Sequence, residues 1–293
     1  MSLLQALQLY PVFALATALL LGLLVGSFIN VVVHRLPRMI NLEYKEQVDE
    51  FIKSDEYKSA STEGKINLVF PRSRCPHCGH QISALENIPV ISYLFLKGRC
   101  SGCKKNISKR YPIIEAITGL MSLAVIYHFG VNLQGAAALL FTWCLISLTL
   151  IDYDTYYLPD TITLPLVWIG LIANYYDLFT DFGSAFWGAI IGYMSLWTIN
   201  QLFKLVRGRE GMGAGDFKLL AALGAWMGWQ MLLQIALFSS LVGAVVGISL
   251  MLIKNRDKNH QIPYGPYLAT AGWIAFLFGE QINHQYLKIL LPH

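Results

Sequence analysis

Charge is scarce in this chain. Only 14% of its 293 residues are Asp, Glu, Lys or Arg, against about 25% in an ordinary soluble domain. A charge-coated globule is thereby excluded as the main architecture. The first ten residues hold no Lys or Arg. The apolar run that follows, from about 11 to 33, therefore lacks the basic start of a removable secretion signal and reads as a permanent span. There is no His-Glu-x-x-His pair, no Gly-x-Gly-x-x-Gly behind a strand, and no Ser/His/Asp constellation. Zincin, nucleotide-loop and serine-hydrolase chemistries lose their usual markers. Cysteine is also sparse, with five residues, four of them gathered in one segment.

Apolar residues fill the space that charge leaves. They make up 55% of the chain, in runs close to the ~20 residues that cross a bilayer. The pattern predicts an all-α polytopic membrane protein with about eight transmembrane helices, near 11–33, 113–129, 134–151, 160–177, 182–203, 217–228, 231–253 and 266–284. The sixth is short and Gly-rich. It is expected to begin in a re-entrant or cavity-lining segment, since irregular backbone at depth must be shielded from lipid.

Charge placement sets the orientation. Residues 34–112 hold fourteen of the 22 Lys and Arg and eight of the 18 acids. A basic block can mark nucleic-acid binding, but one flanked by spans reads as a cytoplasmic loop, with no nucleic-acid partner. With the N-terminus outside, this block and the links 152–160, 204–216 and 254–265 all face the cytoplasm. Then 21 of the 22 basic residues lie inside and only Lys288 outside. The links Gly130–Leu133, Asp177–Asp181 and Gly228–Gln230 are minimal, so nothing sizeable faces out. Within the block, 41–67 is expected to be a solvated or interfacial helix, and 70–112 a compact cysteine module.

That module carries Cys75-Pro-His-Cys78 and Cys100-Ser-Gly-Cys103, 21 residues apart. Two such knuckles aim four thiolates at one tetrahedral ion, as structural Zn2+ requires. A closed set of four leaves no open coordination position, so the metal holds the fold rather than the chemistry. Disulfides do not suit a reducing cytoplasmic loop. Gly79 and Gly102 are expected to supply the knuckle turns, and His77 and His80 to stand outside the metal's ligand set. Cys144, within a span, reads as a small buried hydrophobe.

Ionisable residues in or at the edge of spans are functional candidates by default. Asp152 and Asp154 end the third span, and Asp160 after Pro159 is expected to cap the fourth. Asp216 closes Gly211-Met-Gly-Ala-Gly-Asp216 and opens the sixth span. The topology puts Asp152 and Asp216 at one depth on one face. Two facing carboxylates cannot both ionise easily, so they share a proton. The ionised one then takes a proton from an attacking water while the other polarises an amide carbonyl. Asp152 and Asp216 are thus the candidate catalytic pair of an aspartic peptidase, with Asp154 a weaker alternative. An ion transporter would hold such residues nearer the bilayer midplane. An assembly factor with a zinc module is the remaining rival, and it leaves the paired aspartates without a role.

These residues resemble the type IV prepilin peptidases, or leader peptidase/N-methyltransferases. The resemblance runs through Gly26-Ser-Phe-Ile-Asn30-Val-Val-Val-His-Arg35-Leu-Pro37, Pro71-Arg-Ser-Arg-Cys75-Pro-His-Cys78 and Asn87-Ile-Pro-Val-Ile-Ser92. It continues through Gly98-Arg-Cys100-Ser-Gly-Cys103, Ile107-Ser-Lys-Arg-Tyr-Pro112-Ile-Ile-Glu115, Asp152 to Asp160, Gly213-Ala-Gly-Asp216 and Ile262-Pro-Tyr-Gly-Pro266. Tyr264 stands where Phe is expected, and 41–69 is a long insertion. The resemblance implies Asp152, seven residues before Pro159, and Asp216 as the catalytic aspartates. It implies as substrates prepilins and pseudopilins of pilus and type II secretion systems, cut after a glycine at the cytoplasmic face of a bacterial inner membrane. It also implies methylation of the new N-terminal residue with S-adenosylmethionine. The residues themselves mark no donor site. The stretch Ile88–Gly98 beside the cysteines, with Glu86 and Glu115 as polar partners, is where one is sought. The implied division is 1–34 first transmembrane helix, 35–112 cytoplasmic zinc domain and 113–293 seven-helix catalytic core.

Overall fold

The computed structural model describes residues 3–52, 67–254 and 263–290. The remainder of the expected 41–67 helix, from residue 53 to 66, and the basic residues Arg256 and Lys258 lie outside the described residues. The described chain is helical, with only two isolated β-bridges. The helices are α1 (Leu3–Leu9), α2 (Pro11–Ile52), α3 (Ile91–Phe95), α4 (Arg110–Phe129), α5 (Leu133–Thr155), α6 (Asp160–Tyr175), α7 (Phe182–Arg207), α8 (Ala214–Met227), α9 (Leu232–Lys254) and α10 (Gly265–Leu290).

A helix lies over each expected span. Five stretches are long and apolar enough to cross a membrane: Pro11–Val48, Arg110–Phe129, Leu133–Thr155, Phe182–Arg207 and Trp229–Ser249. The protein is therefore polytopic. Helices α6 and α8 have 16 and 14 residues. At 1.5 Å per residue they reach ~24 and ~21 Å, short of a hydrocarbon core of about 30 Å.

The chain divides into two compact units, Met1–Tyr127 and His128–His293. The first contains α2, the cysteine module and α4. Here α2 does not stop where charge begins but runs 42 residues, with Pro37 inside it. Charge changes the solvation of a helix rather than its geometry, and the stretch up to Ile52 is rich in Leu, Glu, Lys and Arg, which are good helix formers. Asn30 Nδ2 donates to the Tyr111 carbonyl at 3.4 Å, tying α2 to the start of α4. Arg35 donates to the carbonyls of Asn67 and Pro71, drawing the chain before the first knuckle back onto α2.

In the second unit α8 is the core element. Eleven of its 14 residues are buried, as expected of a helix that is apolar all round. It packs against α6, α7 and α10. Helices α7 and α8 cross where Gly188 meets Gly224. A Cβ on either would run into the other's backbone carbonyl, so only glycine permits this close approach. The same C-terminal end of α8 is held by Trp226, which stacks on Phe141 at 4.5 Å and donates from Nε1 to the Leu166 carbonyl at 2.8 Å. A helix this short ends inside the protein, where its last carbonyls need partners. Asn174 supplies them: its Nδ2 donates to Ala225 and Trp226, and its Oδ1 accepts from Phe179 and Thr180. The sixth segment is short, as expected, and buried along most of its length.

Candidate functional sites

The cysteine module has two knuckles of one shape. In each, the first cysteine's N–H reaches the carbonyl five residues on: Cys75 to His80 and Cys100 to Lys105, both at 2.9 Å. Arg74 bridges Gln81 and Arg99 bridges Asn106 beneath them. The positive-φ turn is made by Gly79 in the first knuckle (φ 71°) and by Lys104 in the second (φ 60°). This corrects the assignment of a turn to Gly102. Its own φ is not positive, and it instead packs beside the His80 ring and the Cys78 sulfur.

The four cysteines are unbridged thiols, and their sulfurs all lie within 4.8 Å of one another. Cys75–Cys103 is 3.8 Å and Cys78–Cys100 is 3.9 Å. A tetrahedron with Zn–S bonds of about 2.3 Å has edges of about 3.8 Å, so the donor set fits an ion of that kind. Backbone N–H groups of His77 and Cys78 pull the Cys75 thiol down to about 6, toward the thiolate that a metal binds.

The two histidines stay out of the sulfur cluster. His80 Nε2 lies 3.3 Å from both Glu86 carboxylate oxygens and 3.0 Å from Ser101 Oγ. This network joins the two knuckles. Ser101 and Ser83 hold the Glu86 carboxyl down to about 2, so Glu86 serves the module's own structure. Glu115 is buried in α4, where its Oε2 accepts the Val90 N–H at 2.7 Å.

The second site is made by helix ends. Asp152 sits in the last turn of α5, which stops when Tyr156 turns to left-handed backbone (φ 56°) and returns its N–H to the Asp152 carbonyl. Asp216 sits in the first turn of α8, three residues after its N-cap Gly213. Both carboxylates are buried, 5% and 8% exposed, and Leu158 lies near both, within reach of a Cβ at Gly265 beside Asp152 and of one at Gly215 beside Asp216. Asp154, about half a helical turn from Asp152, is exposed.

Three contacts fix this arrangement, and sequence reading assigned none of them. Gly265, at the start of α10, donates its N–H to Asp152 Oδ2 at 3.0 Å. A Cβ at Gly265 would meet that oxygen at 2.6 Å, and one at Gly215 would meet Leu158 Cβ at 2.7 Å. Gly215 of Gly213-Ala-Gly-Asp216 is thus a clearance for Leu158. Asn200 Oδ1 accepts from the N–H groups of Gly211 and Met212, pinning the loop before α8. The string 262–266 carried a signal for Gly265, but no spacing rule pairs it with Asp152.

Asp160 does not cap α6. Pro159 is the N-cap and makes no side-chain cap bond. The Asp160 carboxylate instead takes the Lys218 ammonium at 2.6 and 2.7 Å, linking the first residue of α6 to the fifth of α8. Cys144, near the middle of α5, is half-buried rather than fully buried as expected.

The described helices bury one aspartate at the end of α5 and one at the start of α8, and the chain also carries a four-cysteine cluster, the features of a polytopic membrane protein with two candidate sites. Residues 139–248 match the type IV leader peptidase family and residues 20–129 the bacterial peptidase A24 N-terminal domain. The chain belongs to this family. It is 52% identical over 278 residues to the prepilin leader peptidase/N-methyltransferase of Stutzerimonas stutzeri, covering 95% of each chain. It is 51% identical to that of Pseudomonas aeruginosa, covering 98% of each, and 48% identical to that of Dichelobacter nodosus, covering 90% of this chain and 91% of the relative. No solved structure matches.

Proposed function

We infer that this chain is a prepilin leader peptidase that also methylates the N-terminus it creates. The observation that carries the peptidase half is the pair of buried aspartates at the ends of α5 and α8. Asp152 and Asp216 act as one dyad that shares a proton. The ionised carboxylate takes a proton from water as the oxygen attacks the scissile carbonyl carbon. The protonated carboxyl donates to the carbonyl oxygen, and proton return to the nitrogen frees the amine. With Gly265 on Oδ2, Asp152 keeps Oδ1 for the water. Leu158 and the apolar wall of α8 exclude bulk solvent.

Substrates are prepilins and pseudopilins, whose basic leader stays in the cytoplasm while the apolar helix sits in the bilayer. The cut falls after a glycine, at the cytoplasmic face of the bacterial inner membrane. The chain crosses eight times with its N-terminus in the periplasm, and most of its basic residues are cytoplasmic, as the positive-inside bias favours. By role it divides into the first span (1–34), the cytoplasmic zinc domain (35–112) and the catalytic core (113–293). The four-cysteine site holds structural Zn2+, an assignment supported by the sulfur spacing and the closed donor set. Methylation takes its CH3 from S-adenosylmethionine. The described residues form no strand followed by a glycine-rich loop, so the donor site is built from helices and module loops.

The test is intact-mass analysis of a purified prepilin incubated with the wild-type protein, Asp152→Asn or Asp216→Asn. The wild type removes a leader-sized mass. Each variant slows that loss by about 10²–10⁴-fold or more. With S-adenosylmethionine the product gains a further ~14 Da, one CH2. Cleavage that survives both substitutions overturns the dyad.

A further inference from the structure

The cysteine module carries a short helix with its apolar side turned outward. In α3, Ile91, Leu94 and Phe95 stand at i, i+3 and i+4 and share a face. They are 48%, 68% and 84% exposed. The module's interior does not need them, because the other face is already occupied. Tyr93 packs on Gly98, where an added Cβ would meet the phenol oxygen at 2.7 Å, and its hydroxyl donates to the Ile107 carbonyl at 3.4 Å. An outward cluster of this kind marks a surface that something covers.

Position and charge identify the cover. Val90, the N-cap of α3, donates its N–H to Glu115 at 2.7 Å. Glu115 is the sixth residue of α4, a helix of membrane-crossing length and composition. That is ~7.5 Å from the helix start, so α3 is fixed at the level where α4 leaves the hydrocarbon. Val90 is held there at φ 58°, an unusual conformation for a β-branched residue. Residues 67–112 contain eight Lys and Arg but one acid, Glu86, and Glu86 is engaged by His80 and Ser83. Lys97, Arg99, Lys104 and Lys105 follow α3 closely and are exposed. Apolar side chains at the boundary with a rim of exposed Lys and Arg fit a negatively charged lipid surface. The same rim repels a basic leader peptide.

We propose that α3 is an interfacial anchor lying in an anionic bilayer surface, with Leu94 and Phe95 at the headgroup–acyl boundary and Lys97 and Arg99 on lipid phosphates. The anchor clamps the cysteine module to the membrane where α4 emerges. It does not depend on the peptidase reading.

The full-length protein is prepared with a benzophenone analogue of phenylalanine at position 95, or at exposed position 77 as a control. It is reconstituted in nanodiscs of phosphatidylethanolamine and phosphatidylglycerol and irradiated. A phospholipid-mass adduct at 95 and none at 77 is expected. An adduct only with a second copy of the chain or with added prepilin, or no adduct, overturns the proposal. Amide exchange of residues 91–99 is read beside it at low salt. In anionic discs it is expected to be about tenfold slower than in phosphatidylcholine discs. A Leu94→Ser/Phe95→Ser variant that retains its metal is expected to lose that difference. Equal exchange of the wild-type protein in the two discs removes the lipid-charge part and overturns the proposal as stated.

Discussion

In the first unit, four sulfurs drawn from 29 consecutive residues converge because each pair sits on one tight turn. In the second, Asp152 and Asp216 are 64 residues apart in sequence, and they meet only because α5, α8 and the start of α10 are packed in a fixed relation. The cysteine site is written locally, and its remaining organisation is a small network around His80. The aspartate site has no local definition. It depends on Gly188 admitting α7 to α8, on Asn174 closing the far end of α8 and on Gly265 reaching Asp152. One centre is drawn together by two tight turns of a single segment, the other by the packing of a whole bundle.

That contrast makes the largest prediction. Cys75→Ser removes one corner of the tetrahedron. Structural zinc contributes an apparent ~10–16 kcal/mol to small domains, so the module is expected to lose its metal and its fold together. Elemental analysis should fall by about tenfold or more, and residues 74–107 should lose exchange protection. Helix α8 should remain protected, because its partners are apolar side chains of its own unit. Parallel loss of protection in α8 would break the contrast.

Gly265→Ala sharpens it from the other side. The added Cβ must displace Asp152 Oδ2, and overpacking of this kind costs about 1–3 kcal/mol. If that strain falls on the placement of Asp152, the cleavage rate drops by about 10–100-fold while metal content is unchanged. Steady-state kinetics with one prepilin, read as kcat and KM separately, checks this. A wild-type kcat would show that the Gly265 contact does not position the carboxylate.

The smallest effect is expected at Asp160. Its pair with Lys218 is short, but the two side chains are 48% and 24% exposed. A partly exposed ion pair contributes about 0–1 kcal/mol. Asp160→Asn should therefore lower the unfolding midpoint by a few degrees at most, and less at high salt. A double-mutant cycle with Lys218→Met measures the coupling. A value of several kcal/mol would make this pair a principal fastener of α6 to α8.

The helices were legible from the sequence because long apolar runs between turn residues leave the backbone one way to satisfy itself in lipid. The cysteine cluster was legible because three-residue cysteine spacing forces two sulfurs to one side of a turn. The turn at Lys104 was not, because left-handed backbone at a non-glycine residue is set by the knuckle's hydrogen bonds. The reach of α2 to Ile52 was missed because a charge boundary marks the edge of the membrane and not the end of a helix. Asp152 and Asp216 were marked by sequence as ionisable residues at span edges. Their burial, the Gly265 N–H on one oxygen and the transfer of Asp160 from cap to ion pair were decided by tertiary packing. The physical reason is range: turns and spans follow from forces between near neighbours, whereas a carboxylate's partners are whichever groups the folded helices bring within hydrogen-bond distance.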